Sequence, residues 1–159
     1  MKKITLLLLA LLAMATNMAA STVETTLWEG TYDSQVELNA ATVATFKAGD
    51  VLRVYVTVPD GGGNFKIVYK GESNGWAETT IPSLDTQWPW LNGGDTYKDI
   101  ALTDADITAL DGMNIYLYEH ENGYAITKVS LVTTVGPSVW TGEKVFGSNW
   151  SEWQTIDAS

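Results

Sequence analysis

The 159-residue sequence has no cysteine, one histidine and only nine lysines and arginines. Without thiols there is no disulfide framework, no thiolate nucleophile, no cysteine-bound zinc and no lipid-bearing cysteine. The lone His120 lies between Glu119 and Glu121. Strand neighbours face opposite ways, so Glu119 is badly placed to orient it. No Gly-x-Ser-x-Gly elbow, Walker loop or dense calcium loop occurs. No cofactor is expected, and a structural calcium has no ligand pattern to support it. Long apolar runs are missing too. Residues 4–15 fall short of the roughly 20 needed to span a bilayer.

Lys2 and Lys3 precede that run, and Ala19, Ala20 and Ser21 follow it. This is the pattern of a secretory signal peptide with cleavage near Ala20. We expect residues 1–20 to be removed and the mature chain to be exported, to the extracellular space, cell surface or periplasm, with no membrane attachment left. Seven basic residues then face nineteen acidic ones. Nucleic acid needs a basic footprint, so it is not an expected partner, and anionic polysaccharide is disfavoured for the same reason. Set against this acidity are seven Trp and seven Tyr, all beyond residue 20.

The remaining length suits one ordinary domain, yet the sequence contains the start of a second copy. Leu27-Trp28-Glu29-Gly30 and Val139-Trp140-Thr141-Gly142 share a frame, as do Leu38-Asn39-Ala40 and Ile156-Asp157-Ala158. The period is too long for a solenoid and fits tandem modules of domain size. We expect a module over 22–133, a linker over 134–138 carrying Gly136 and Pro137, and the truncated start of a similar module over 139–159. The counterpart at Trp140 argues that Trp28 is a core position.

Within the first module, residues 51–58 (VLRVYVTV) and 65–70 (FKIVYK) alternate as strands do, with Gly-, Pro- and Asn-rich turns around them. Residues 76–81, 96–102, 113–120 and 124–132 also read as strands, the last two joined by an Asn122-Gly123 turn. Residues 103–112 are the one helical candidate, with a Thr103/Asp106 capping box and a stop at Gly112. Strands at this spacing predict an all-β fold: a β-sandwich of jelly-roll type, about eight strands with one short helix.

A sandwich has outer faces. Ile115 and Leu117 should point inward, leaving Tyr116 and Tyr118 outward; Arg53 and Tyr55 oppose the aliphatic set of their own strand. If those two strands share a sheet, one face carries all four. In DTQWPWLNGG (residues 85–94), Trp88 and Trp90 flank Pro89 about 6.6 Å apart, two strand rises. They are either ligand contacts or a plug over an open end of the sandwich. A neutral pyranose presents a C–H face that complements an aromatic ring and a rim of hydroxyls that bind carboxylate, amide and guanidinium groups. The candidate ligand-binding set is therefore Trp76, Trp88, Trp90, Tyr116 and Tyr118 for stacking, with Glu78, Gln87, Asn92 and Arg53 for hydroxyls. Trp76 and Glu78 would share a strand face, with core burial of Trp76 as the alternative. Asp104 and Asp106 are a carboxylate pair, but at a helix start capping and the dipole account for them.

The segments LWEGTYD (27–33), FKAGDVLRVYV (46–56), the isolated Trp76 after a turn, ALTDADITALDGMNIYLYEHENGYAITKVSLV (101–132) and the second start at 139 form a pattern. It resembles the non-catalytic carbohydrate-binding modules of secreted glycanases from gut and rumen bacteria. The resemblance implies a β-sandwich that binds β-linked plant polysaccharide, a β-glucan or hemicellulose, through aromatic residues. It further implies covalent linkage to a downstream module and catalytic domain, which the module targets to substrate. The first copy lacks the Trp-rich turn of the second, and its 85–94 loop is more aromatic than the pattern. The rival readings are a structural or adhesin-like spacer, whose aromatics would be core, and a small glycan-active enzyme with a carboxylate pair across a cleft.

Overall fold

The computed structural model describes residues 21–32, 34–119 and 124–136. The signal sequence over 1–20, His120, the Asn122-Gly123 turn and the second start over 139–159 lie outside the described residues. Contacts mark out Thr22–Thr134 as the larger compact unit.

Eight strands build the larger unit: β1 (Ser21–Glu29), β2 (Val36–Leu38), β3 (Val51–Thr57), β4 (Gly63–Lys70), β5 (Trp90–Leu91), β6 (Tyr97–Ala101), β7 (Asn114–Glu119) and β8 (Ala125–Val135). Two short helices join them, α1 (Ala40–Val43) and α2 (Asp104–Leu110), with a single 3₁₀ turn at Glu72–Asn74. The strands form two four-stranded sheets, ordered β1-β8-β3-β6 and β2-β7-β4-β5. First pairs with last, second with seventh, third with sixth and fourth with fifth, as in one antiparallel ribbon folded over on itself. This is the jelly-roll solution, a sandwich in which both sheets bury one face against the other.

Alternation along the strands fills the space between the sheets. Leu52, Val54 and Val56 of β3 face Phe65 and Ile67 of β4 and Ile115 and Leu117 of β7 within one core cluster. Trp28 and Tyr69 pack partly buried against that cluster. The expected strands over 51–58, 65–70, 96–102, 113–120 and 124–132 all form. The segment 76–81 does not: it touches β4 through one isolated bridge, Tyr69 to Thr79. Trp76 there adopts φ +63°, in the left-handed region, so it does not share a strand face with Glu78.

The helical expectation over 103–112 is met by α2, and its N-terminus is tied into the sandwich. Asp106 is fully buried. Its Oδ2 accepts from Thr103 N (2.6 Å) and Thr103 Oγ1 (2.7 Å), and its Oδ1 from Ser83 N (2.8 Å). The carboxylate therefore caps the helix and pins the 82–84 segment. Burial alone would raise its pKa. The hydrogen bonds from Thr103 and Ser83 outweigh it and hold the group below its ordinary value of 3.8. The stability from this ionised cap is fully present above that value and is lost as the pH falls through the lower, folded one. We expect Asp106→Asn to cost about 1–3 kcal/mol near neutrality. The gap to the parent should narrow below about pH 4, as measured by urea denaturation across pH.

Candidate functional site: the outer face of the β2-β7-β4-β5 sheet

The inward set of β4 and β7 fixes an outward set. Pairing places Lys66 beside Tyr118, Val68 beside Tyr116 and Lys70 beside Asn114, and β2 brings Glu37 beside Tyr116. At the other edge β5 pairs with the start of β4, Asn64 opposite Trp90 and Gly63 opposite Leu91. Leu91 is buried, so Trp90 points outward, with 54% of its surface exposed. The aromatic loop of the sequence is thus the edge of this face. The proline within it costs nothing there, since an edge strand can spare a donor.

Two loops hold Trp90 in place by close backbone approach. A Cβ at Gly62 would lie 2.9 Å from Trp90 Cζ2 and 2.8 Å from the Leu91 carbonyl oxygen, and Gly62 has φ +82°. The indole therefore rests on bare backbone, one side supported and the other open. Gly93 closes against the Asp60 carbonyl in the same way, so a side chain at either position would push the loops apart.

Lys66 and Lys70 run between the rings. The Lys66 ammonium lies 5.3 Å from the Trp88 ring centroid and 5.6 Å from that of Tyr118, and it forms an ion pair with Glu78. Lys70 sits 4.4 Å over the Tyr116 ring, donates to the Tyr118 hydroxyl at 2.9 Å and lies 3.6 Å from Glu78. The Lys66 hydrogen bond holds the Glu78 carboxyl below the usual carboxylate range. Tyr116 and Tyr118 stack, with ring centroids 6.4 Å apart and planes 12° apart. Asn114 donates to Glu37 Oε1 (2.7 Å), and the Tyr116 hydroxyl donates to the same oxygen (3.2 Å). Two ammonium groups and two carboxylates make the face neutral within a chain of net charge −10.

Trp88, Trp90, Tyr116, Tyr118 and Glu78 come together on this face. Gln87 lies at its edge, with its carbonyl accepting from Ile67 N (2.8 Å). Asn92 is exposed in the turn beyond β5. Trp76, 57% exposed, follows the turn at the Lys70 end of β4. Asn64 and Lys70 are six strand rises apart, about 20 Å. Two large exposed indoles thus stand near opposite ends of β4.

Two expectations are corrected. β3 and β7 lie in different sheets, so Arg53 and Tyr55 do not share a face with Tyr116 and Tyr118. Arg53 is held by a two-pronged pair with Asp99 (2.7 Å for both contacts) and lies 4.3 Å over the Tyr97 ring on the far side of the sandwich. There Lys128, with help from Tyr55, lowers the Glu24 carboxyl to about 2. Tyr116 faces outward but is only 6% exposed, covered by its polar neighbours, so it supports the face rather than offering a ring. Sequence reasoning missed Lys66, Lys70, Glu37 and Gly62. The lysines had a signal, because they alternate with Phe65 and Ile67.

One apolar recess of about 380 Å³ lies between α1 and α2, lined by Val43, Phe46, Ile107 and Leu110 among others. It contains none of the candidate residues. Among the described residues no group of three or more His, Cys, Asp or Glu side chains is arranged to hold a metal ion, and no helix is long and apolar enough to cross a membrane.

No protein-family model and no curated protein matches the sequence. Solved structures resemble it in part. One is the Bacteroides ovatus mixed-linkage glucan utilization locus SGBP-B in complex with a mixed-linkage heptasaccharide, at 16% identity and TM-score 0.48, over 68% of this chain and 29% of that one. Two are structures of the Tobacco streak virus coat protein, at 14% and 12% identity, both with TM-score 0.39. They cover 82% and 84% of this chain and 94% and 96% of the coat protein. This chain therefore spans less than a third of the Bacteroides protein. None of these three likenesses reaches a TM-score of 0.5.

The glycine support makes a specific expectation. Gly62→Ala should dislodge the Trp90 indole and strain a left-handed residue, at a cost of about 1 kcal/mol. Acrylamide quenching of tryptophan emission should change with it. An unaltered quenching profile in a folded Gly62→Ala protein would remove the supporting role.

Proposed function

We propose that the module is a non-catalytic binding domain for a neutral, β-linked plant polysaccharide, a β-glucan or hemicellulose. In this reading the chain lies along the outer face of the β2-β7-β4-β5 sheet. Trp90, Trp88 and Trp76 stack on sugar rings with Tyr118 between them, while Glu78, Gln87 and Asn92 bind hydroxyls. Arg53 takes no part, and Tyr116 acts by bracing Tyr118 and Lys70. The protein is exported, and the module keeps an attached downstream glycanase at high effective concentration on its substrate.

The carrying observation is the pair of indoles, each more than half exposed, one beside the start of β4 and one after the turn that ends it. An aromatic face buries large area at low entropic cost, and its electron-rich surface meets sugar C–H bonds favourably. The lysine–glutamate pairs are mutually satisfied, so an uncharged ligand displaces no free charge. An adhesin-like spacer would instead use the same rings against a neighbouring module, and its indoles would gain no protection from soluble glycans.

Affinity electrophoresis of the full chain in xyloglucan, mixed-linkage glucan, xylan and mannan tests the proposal. We expect retardation in at least one. Trp90→Ala and Trp76→Ala should each weaken binding by about tenfold, which corresponds to roughly 1.4 kcal/mol. Arg53→Ala should leave it unchanged. Free migration of the parent protein in all four polysaccharides would overturn the reading.

A further inference from the structure

Trp76 combines two features that rarely occur together. It is the only described residue other than glycine with a positive φ, at +63°. It is also 57% exposed, the most exposed large apolar residue described. A left-handed backbone costs an L-residue roughly 1–2 kcal/mol, and a bulky side chain there is a genuine outlier. More than half of the residue's surface nevertheless stays in water.

Side-chain bonds of Asn74 and backbone bonds across the turn together hold the strain. Asn74 Oδ1 accepts from Gly71 N at 3.0 Å. Its Nδ2 donates to the Ala77 carbonyl at 2.9 Å and to Thr79 Oγ1 at 3.2 Å. Asn74 thus grips the chain on both sides of Trp76. The Trp76 amide is itself spent on the Gly71 carbonyl, at 2.8 Å. The base of the turn is fixed in the sandwich. Gly71 is buried so close to β7 that a Cβ would lie 2.9 Å from Met113 Sδ. Thr79 exchanges two backbone bonds with Tyr69, at 2.9 and 3.0 Å.

We propose that the turn 71–79 is a preformed mount for Trp76, and that Asn74 is the positioning residue that keeps the indole presented to ligand. The inference rests on the glycan-binding reading and adds a mechanism to it. The strain and ordering cost are met on folding, so binding does not bear them again. Backbone strain of this kind persists only where surrounding structure over-determines it, and it concentrates at ligand-contacting positions. Preorganisation then raises affinity by removing a cost of association.

Two measurements on the full chain test this separately from the reading beneath it. The first needs no ligand. Asn tolerates the left-handed region, so Trp76→Asn should keep or raise the thermal midpoint. A fall of several degrees would mean the indole is a packing residue and would end the proposal. With 5-fluorotryptophan, the Trp76 fluorine line, assigned by its loss in Trp76→Asn, should narrow in Asn74→Ala as the indole gains motion. An unchanged line would overturn the mount. The second is a double-mutant cycle on the best polysaccharide. Asn74→Ala should weaken binding by about tenfold in the parent and have no further effect in a Trp76→Ala background. An equal loss in both backgrounds would make Asn74 merely structural. If no polysaccharide binds, the reading of function fails, and the thermal and fluorine results still judge the mount.

Discussion

Ile67 lies opposite Leu117 and Lys66 opposite Tyr118 in the β4–β7 pairing. Everything at the candidate site depends on that register. Phe65, Ile67, Ile115 and Leu117 are fully buried. Each such side chain is worth about 1.5–3 kcal/mol against exposure. A slip of one residue would turn this set to water and drive Lys66, Tyr118 and their neighbours into the core. The core therefore chooses the face. The lysines and tyrosines need no interaction of their own to point outward, and their contacts with one another are free to be tuned for another purpose.

The tryptophans reach the face by a different route. No hydrophobic periodicity places Trp90; a two-residue edge strand does, with Leu91 as the buried partner that sets its direction. Gly62 and Gly93 then bring the flanking loops into backbone contact. Trp76 is placed by a turn whose polar bonds offset an unfavourable backbone. One indole rests on a floor where no side chain fits, and the other stands on a strained mount. In both cases the sequence spends local stability to fix a large ring in solvent, an arrangement that core packing does not call for.

These routes explain what was legible in the sequence. Alternation in residues 51–58, 65–70 and 113–120 has period two and a buried face, so it could be read directly, and so could the Thr103/Asp106 cap. The β-sandwich followed from strand spacing. The pairing of strands far apart in sequence leaves no local mark, so Arg53 and Tyr116 could not be assigned to opposite sheets. The short strands β2 and β5 carry too few residues to show a period. Residues 76–81 look strand-like by composition, yet Gly75 and the Asn74 clamp force Trp76 into the left-handed region, which no alternation rule anticipates. The covering of Tyr116 came from Glu37 of β2, 79 residues away.

The electrostatics of the face bear on what it suits. A surface that met a polyanion would leave its ammonium groups free for phosphate or carboxylate, but Lys66 and Lys70 share Glu78. One that met a cation would leave carboxylates free, but Glu37 is occupied by Asn114 and Tyr116. Exposed pairs of this kind add little stability. Their effect is geometric. Lysine stems lie as apolar strips between rings, and the ammonium groups sit over or beside Trp88, Tyr116 and Tyr118 and hold those rings in fixed attitudes. With these charges answered internally, what remains open on the face is the exposed indole of Trp90 beside the half-buried rings of Trp88 and Tyr118.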